Sequence, residues 1–280
     1  MTKLTRRNFI IFLVFGTLLT MWPISLFRKG SKAQVNSEAK EIFTLLMKKR
    51  KSISTLSYFV KRTIVYADPS LFNNPNIEIP PMNALLELYY NKDGNLKTVM
   101  FIPTVSSPQG FGAKITTIYK GKYEYQKTES LDGSFKTEYH SRLLSYLERE
   151  KIPSFLDDVL AMPTDNLMTL LGREYIDGDL TQVIVQGNSK YWISLDKASV
   201  VKKEYYRSSD KLSAIVEYKN FKEVYPGIIF PTLVIDKNFD KQNNLVEEYE
   251  REITNIRINE PMPKETFNIE KNEGSTKVFS

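Results

Sequence analysis

Alternating apolar and polar residues dominate the chain after its first fifth. Residues 191–236 show the pattern best, because β-branched and aromatic runs are separated by turn-forming residues at 196–198, 208–210 and 226–227. The segment predicts four successive antiparallel strands. Across the whole chain the same pattern predicts eleven strands, over residues 57–67, 84–90, 97–102, 114–119, 122–128, 181–185, 191–195, 199–207, 212–224, 228–239 and 245–259.

Two segments have helical periodicity instead. Residues 37–50 begin with acidic side chains, end with basic ones, and place Ile42, Leu45 and Leu46 in one stripe with the stem of Lys49. This pattern predicts an amphipathic helix. Residues 139–171 carry leucines at helical spacing and are broken by prolines, which predicts a helical interruption between two groups of strands.

Successive antiparallel strands form one large sheet, and a sheet of more than about ten strands must curl, split or close. Two architectures follow from the pattern. One is a sandwich whose core is filled by side chains; the other is a wide or partly open barrel that encloses a cavity. In the second case the helix 37–50 would cover an edge or the mouth of the barrel. Both are mainly β with a few helices, within the α+β class.

The N-terminus accounts for the net charge of +6. Six of the 39 basic residues precede the first acidic residue, Glu38, which leaves 33 basic and 33 acidic residues in the remainder. A nucleic-acid partner is therefore not indicated, because phosphate binding needs a clustered basic excess.

Residues 8–27 carry no charge and are long enough to cross about 30 Å of hydrocarbon. The flanking residues leave both a cleaved signal peptide and a retained membrane anchor open, and the arginines Arg6 and Arg7 fit either a twin-arginine or a Sec-type export signal. We therefore expect three regions: a signal or anchor at 1–33, a folded domain at 34–270 and a loose tail at 271–280. The domain is expected outside the cytoplasm, in the periplasm or at the outer face of the cytoplasmic membrane.

Catalytic chemistry has little support in the residue inventory. The chain has no cysteine and a single histidine, His140, so neither a transition-metal site nor a histidine-based triad is predicted. We predict no catalytic residue, no metal and no cofactor. A hydrolase would require a polar cluster inside the cavity.

Apolar and aromatic side chains on the strands are the candidates for lining a cavity, although each also has an interpretation as ordinary packing. The candidate ligand-binding residues are Leu86, Leu88, Tyr90, Tyr123, Tyr125, Val183, Val185, Trp192, Phe230, Leu233 and Ile235.

Several segments together resemble one family. They are the helix and long strand at 37–67, LLGREYIDGDLTQVIVQ at 170–186, YWISLDKASVVKKEYY at 191–206, PGIIFPTLVID at 226–236 and ITNIRINEPMPKETFNI at 253–269. In this order they resemble the lipoprotein-sorting (LolA-like) proteins, whose fold is shared with the sigma-factor regulator RseB. Where the carriers place an Arg-Pro pair before an aromatic strand, this chain has Ile-Pro-Pro-Met-Asn at 79–83.

The resemblance implies a single curved antiparallel sheet that forms an unclosed half-barrel with helices over its apolar concave side. It also implies a non-enzymatic carrier for lipid, lipoprotein acyl chains or another elongated apolar ligand. The alternative is a membrane-anchored regulatory or envelope-assembly module that binds a protein partner. The Arg-Pro pair missing at 79–83 weakens the expectation of lipoprotein transfer and leaves apolar-ligand binding intact.

Overall fold

A computed structural model describes residues 37–68, 83–104, 107–131, 133, 136–145, 168–208 and 211–268. These residues form one α-helix, thirteen strands and a short 3-10 helix. In chain order the elements are α1 Ser37–Lys51, β1 Thr55–Ala67, β2 Asn83–Asn91, β3 Leu96–Thr104, β4 Ser107–Lys120, β5 Tyr123–Ser130, β6 Glu138–Leu143, β7 Thr169–Ile176, β8 Asp179–Gln186, β9 Ser189–Ser194, β10 Ser199–Ser208, β11 Lys211–Tyr225, β12 Ile228–Phe239, β13 Leu245–Ile258 and the 3-10 helix Lys264–Phe267.

All thirteen strands belong to one antiparallel sheet with the order β6-β5-β4-β3-β2-β1-β13-β12-β11-β10-β9-β8-β7. The chain builds one half outward from β1 to β6 and the other half inward from β7 to β13. Strands β1 and β13 join the halves along the register from Leu56 opposite Ile258 to Ala67 opposite Glu247. Strands β6 and β7 are the two edges, so the sheet is not closed. The predicted unclosed half-barrel is confirmed.

The predicted helical interruption at 139–171 is wrong at both of its ends. Residues 138–143 form β6, paired with β5, and residues 169–176 form β7, paired with β8. Pairing with a neighbouring strand outweighs the local leucine spacing. Residues 146–167 lie outside the described residues.

Strand β7 is hard to recognise in the sequence because a bulge at Gly172 interrupts its alternation. Its hairpin with β8 turns on Asp177 and Gly178, whose φ angles of 49° and 85° fit the Asp-Gly turn typical of two-residue hairpins. The other eleven strands lie where the alternation predicts them.

Side chains on one face of the sheet form the main core together with α1. Ile42 and Leu46 of the helix belong to the same buried cluster as Leu56, Leu88 and Phe230 of the strands. We call this face of the sheet the inner face, and the opposite one the outer face. The cluster extends from Leu96 of β3 to Ile184 of β8. Strand β8 is six strands away from β1, and a flat sheet would separate these two by roughly 30 Å. The sheet therefore curls around α1.

The 3-10 helix packs against the outer face near β3 and β4. Phe267 is buried, and its carbonyl oxygen accepts a hydrogen bond of 3.4 Å from Nζ of Lys120. Lys120 shares the outer face with Ile118, which is buried although it lies away from α1. The C-terminal segment therefore shields part of the outer face from water.

Candidate functional site

The inner face is apolar at the end of the sheet where α1 lies. Directly opposed residues of an antiparallel pair project on the same side, so the register defines rows of side chains. Leu56 opposes Tyr90, Tyr58 opposes Leu88, and Val60 opposes Leu86. We call these three rows the apolar floor. Most of their side chains are buried, with Leu56 and Leu88 fully so.

Four of the predicted ligand-binding residues lie on the inner face. Leu86, Leu88 and Tyr90 are part of the apolar floor, and Phe230 belongs to the same cluster from β12. The ring centroid of Phe230 is 6.1 Å from that of Tyr58, in a tilted arrangement. The structure therefore brings these four together beneath α1.

The other seven predicted residues lie on the outer face. Val183 and Trp192 form a small separate cluster with Val201, and Trp192 donates a hydrogen bond from Nε1 to Oε2 of Glu174 at 2.6 Å. Register places the remaining five on this face too, since each alternates with or opposes an outer-face residue: Tyr123, Tyr125, Val185, Leu233 and Ile235. A cavity beneath α1 would be lined without them.

One lysine ties α1 to the far half of the sheet. The Nζ atom of Lys49 donates hydrogen bonds to the carbonyl oxygen of Ala198 at 3.2 Å, to Oγ of Ser199 at 2.6 Å and to the carbonyl oxygen of Ile229. Burial lowers the pKa of Lys49 to about 8. The apolar contacts of Ile42 and Leu46 and this polar tie together hold the helix over the inner face.

Replacing Lys49 with alanine is expected to lower the free energy of unfolding by about 1–3 kcal/mol, because the carbonyl acceptors at Ala198 and Ile229 lose a donor in a partly buried place. Urea denaturation at pH 7 measures the change. Lys48→Ala is the matched control, since Lys48 is exposed on the adjacent position of the helix. If the two substitutions had equal effects, the hydrogen bonds of Lys49 would not stabilise the protein.

The stabilising effect of Lys49 should also depend on pH. Between about pH 8 and 10.5 the folded protein releases the proton of Lys49 while the unfolded chain retains it, so the stability of the wild type rises with pH over this window. The difference in free energy of unfolding between the wild type and Lys49→Ala should therefore change by on the order of 3 kcal/mol, in favour of the wild type, between about pH 8 and 10.5. Urea titrations of both proteins at several pH values measure it, and a constant difference would contradict the lowered pKa.

Charged and phenolic side chains cross the inner face next to the apolar floor. Asp236, only 4% exposed, accepts two hydrogen bonds from Arg251, from Nε at 2.6 Å and from Nη2 at 2.9 Å. Arg62 lies opposite Arg251, and its guanidinium carbon is 3.8 Å from the centroid of the Tyr249 ring. We call Arg62, Lys203, Asp236, Glu247, Tyr249 and Arg251 the polar belt.

Burial and charge act on these groups in opposite directions. Burial opposes the charge of Arg251, but the carboxylate of Asp236 outweighs this effect and raises the pKa of Arg251. Burial lowers the pKa of Arg62, although the nearby phenol and carboxylates act to raise it. The pKa of Tyr249 is raised, chiefly by burial. At neutral pH the two arginines are cationic and the phenol is neutral.

Lys203 extends the polar belt onto β10. It is 5% exposed, and Nζ lies 4.8 Å and 4.3 Å from the ring centroids of Tyr191 and Tyr205. The faces of these rings stabilise an ammonium group that has lost most of its water. Lys203 opposes Val216, which in turn opposes Asp236, so all three share the inner face.

The polar belt lacks the sets of catalytic residues that are found in common hydrolases. His140 lies on edge strand β6, where its Nε2 is 3.7 Å from a carboxylate oxygen of Glu138, and not in a helix as predicted for residues 139–171. Both oxygens of Asp236 are engaged by Arg251. Within the described part of the chain, no group of three His, Cys, Asp or Glu side chains could hold a metal ion.

The sequence contained a signal for the polar belt that the apolar pattern concealed. Arg62 interrupts the face of β1 that carries Tyr58, Val60 and Ile64, and Asp236 ends the apolar run of β12. A charge within an otherwise apolar strand face indicates either a buried pair or a binding group. Only the register shows that these interruptions lie side by side.

An unclosed antiparallel sheet curled around one covering helix defines the class: a half-barrel. A protein of the DUF1329 family from Desulfovibrio piger has the same fold, with a TM-score of 0.50 and 14% sequence identity over 82% of this chain and 96% of that chain. A domain from Vibrio parahaemolyticus, described as outer membrane lipoprotein-sorting, has a TM-score of 0.50 and 11% identity over 82% and 97% of the two chains. The predicted resemblance in fold is confirmed.

No protein-family model matches the sequence, and no curated protein sequence matches it. In the described residues, no helix is both long and apolar enough to span a membrane. The predicted signal or anchor at 1–33 lies outside the described residues and stays a prediction.

Proposed function

We propose that this chain is an extracytoplasmic, non-enzymatic carrier that shields the hydrocarbon of a lipid or of lipoprotein acyl chains. The observation that carries the proposal is the apolar floor beneath α1 in a sheet that does not close. An elongated apolar ligand can replace side-chain contacts between helix and sheet, and the gain is about 25 cal/mol per Å² of hydrocarbon removed from water. The domain described as lipoprotein-sorting shares the fold and supports the proposal by analogy.

The location of the ligand follows from the attachment of α1. The helix contacts the sheet through Ile42 and Leu46 and is tied by Lys49 at its C-terminal end. Its first residues, at 37–40, are the part farthest from this tie along the chain. We propose that ligand enters where the helix separates from the sheet and then lies along Leu86, Leu88, Tyr90 and Phe230.

Extraction of the purified protein with organic solvent, followed by mass spectrometry, is expected to release bound lipid. After extraction, the refolded protein should bind a fluorescent fatty acid. Leu86→Gln, on the inner face, should weaken this binding about tenfold, because burying a leucine-sized apolar surface contributes roughly 1.5–3 kcal/mol. Leu233→Gln, on the outer face, should change it less than twofold.

A protein that releases no lipid and takes up no fatty acid would overturn the proposal. That result would favour the alternative, a membrane-anchored module that binds a protein partner. The intact mass of the mature protein separates cleavage near residue 34 from retention of the apolar segment, and a freely diffusing carrier requires cleavage.

A further inference from the structure

A row of directly opposed residues crosses the inner face from the apolar floor to the edge of the sheet at β6. It begins at Leu88 of the floor and continues through one residue each of β3, β4, β5 and β6, namely Thr98, Thr117, Gln126 and His140. Opposed residues of antiparallel strands project on the same side, so these side chains share the inner face with Leu88. We call Thr98, Thr117, Gln126 and His140 the hydrogen-bonding row. With about 4.8 Å between neighbouring strands, it is roughly 14 Å long.

The rows on either side of the hydrogen-bonding row change from apolar to polar as they approach β6. One starts at Leu86 and continues through Met100, Ile115, Thr128 and Glu138. The other starts at Tyr90 and continues through Leu96, Tyr119, Glu124 and Arg142. On β3 and β4 the hydrogen-bonding row is therefore flanked by apolar and aromatic residues, whereas on β5 and β6 all three rows are polar. A ligand that lies across these strands would meet a hydrocarbon surface first and a hydrogen-bonding surface next.

Three members of the hydrogen-bonding row have unused donors and acceptors. Thr98, Thr117 and Gln126 make no side-chain hydrogen bond to another described residue, and each is half-buried. Their two hydroxyls can donate and accept, and the amide of Gln126 can do both. Hydrocarbon laid over these groups would remove their water without replacing its hydrogen bonds, which costs free energy. A ligand with hydroxyl groups at this place would avoid that cost.

The charges beside the hydrogen-bonding row disfavour an anionic ligand. Arg142 donates a hydrogen bond to the carboxylate of Glu124, so this pair is neutral as a whole. A carboxylate oxygen of Glu138 is 3.7 Å from Nε2 of His140. On the inner face of β3 to β6 the two carboxylates thus face one guanidinium and one imidazole, and positive charge is not in excess in either form of the imidazole. An uncharged head group fits this balance.

We propose that the hydrogen-bonding row binds the uncharged, hydroxyl-bearing head group of an amphiphile whose hydrocarbon chain lies on the apolar floor. Thr117 and Gln126 exchange hydrogen bonds with the hydroxyls, and Thr98 lies where the chain meets the head group. The inner-face side chains of β6 are exposed, so this end of the site has room for the head group. The inference rests on the proposed carrier function and adds the chemical class of the cargo.

Binding of two probes with the same acyl chain, 1-monoolein and methyl oleate, tests the inference. Both are esters, and they differ in the free hydroxyls of the glycerol head. The delipidated protein is expected to bind monoolein about tenfold more tightly than methyl oleate, which corresponds to one or two net hydrogen bonds. Gln126→Leu should remove most of this preference and leave the affinity for methyl oleate within about twofold. Thr117→Val, which keeps the shape of the side chain, should also reduce the preference.

Thr116→Val is the matched control, since Thr116 is a half-buried threonine of the same strand that projects from the outer face. It should leave the preference for monoolein unchanged. Thermal unfolding of each variant shows that it is folded before binding is measured. A merely structural role of Gln126 or Thr117 would weaken binding of both probes equally, so the ratio of the two affinities is the decisive quantity.

The possible outcomes separate the inference from the proposed function. If the wild type binds both probes equally, the head-group site is overturned and the carrier function stands. The same conclusion holds if the preference exists but survives both Gln126→Leu and Thr117→Val. If neither probe binds, the site and the carrier function are both overturned. Oleate is the third probe, with the same chain and a charged head: tighter binding of oleate than of monoolein would overturn the uncharged class.

Discussion

Replacing Arg251 with alanine is expected to lower the free energy of unfolding by about 3–5 kcal/mol. Asp236 is 4% exposed and receives both of its short hydrogen bonds from this guanidinium. Without Arg251 the carboxylate would remain buried with its main counter-charge removed. Tyr58 and Tyr218 also lie near Arg251 and would lose a cationic neighbour. Urea denaturation at pH 7 measures the loss.

Two further variants identify the cause of the stability loss expected for Arg251→Ala. The double substitution Asp236→Asn with Arg251→Gln removes both charges and keeps hydrogen-bonding groups in place, so it should cost clearly less than Arg251→Ala alone. Arg257→Ala is the surface control: Arg257 is 67% exposed and 3.9 Å from Glu260, and its loss should cost at most about 1 kcal/mol. If Arg251→Ala were no worse than Arg257→Ala, the buried pair would not stabilise the sheet.

Most of the fold could be predicted because strand alternation is a local signal. Eleven strands and helix α1 carry their period within a dozen residues, and the predicted turns at 196–198 and 226–227 separate strands in the structure. The edge strands β6 and β7 could not be predicted in this way. The first ends at the leucine that begins the helical spacing of residues 143, 144 and 147. The second is bulged at Gly172, and both become strands only through pairing with an inner neighbour.

The residues of the inner face could not be predicted from the sequence alone. Alternation divides each strand into two sets of side chains but does not say which set meets α1. On β12 the apolar residues Leu233 and Ile235 alternate with Val234, and only Val234 is in the core beneath the helix. The polar belt depends on register between strands far apart in the sequence: Arg62 and Arg251 are opposed although 189 positions separate them. Such pairs need the three-dimensional structure.

Phe230→Ala is expected to lower the free energy of unfolding of the lipid-free protein by about 3–5 kcal/mol. The side chain is fully buried on the inner face and packs near Tyr58, so its removal leaves a cavity under α1. Ile235→Ala, on the outer face of the same strand, is only partly buried and should cost about 1–2 kcal/mol.

The variant Phe230→Ala also shows whether Phe230 only packs in the core or contacts the ligand as well. If ligand hydrocarbon lies against Phe230, bound fatty acid should fill the new cavity and restore part of the lost stability, whereas it should stabilise Ile235→Ala no more than wild type. Thermal unfolding with and without oleate measures the difference. Equal stabilisation of both variants by oleate would mean that the ligand does not reach Phe230, and that this residue serves the core alone.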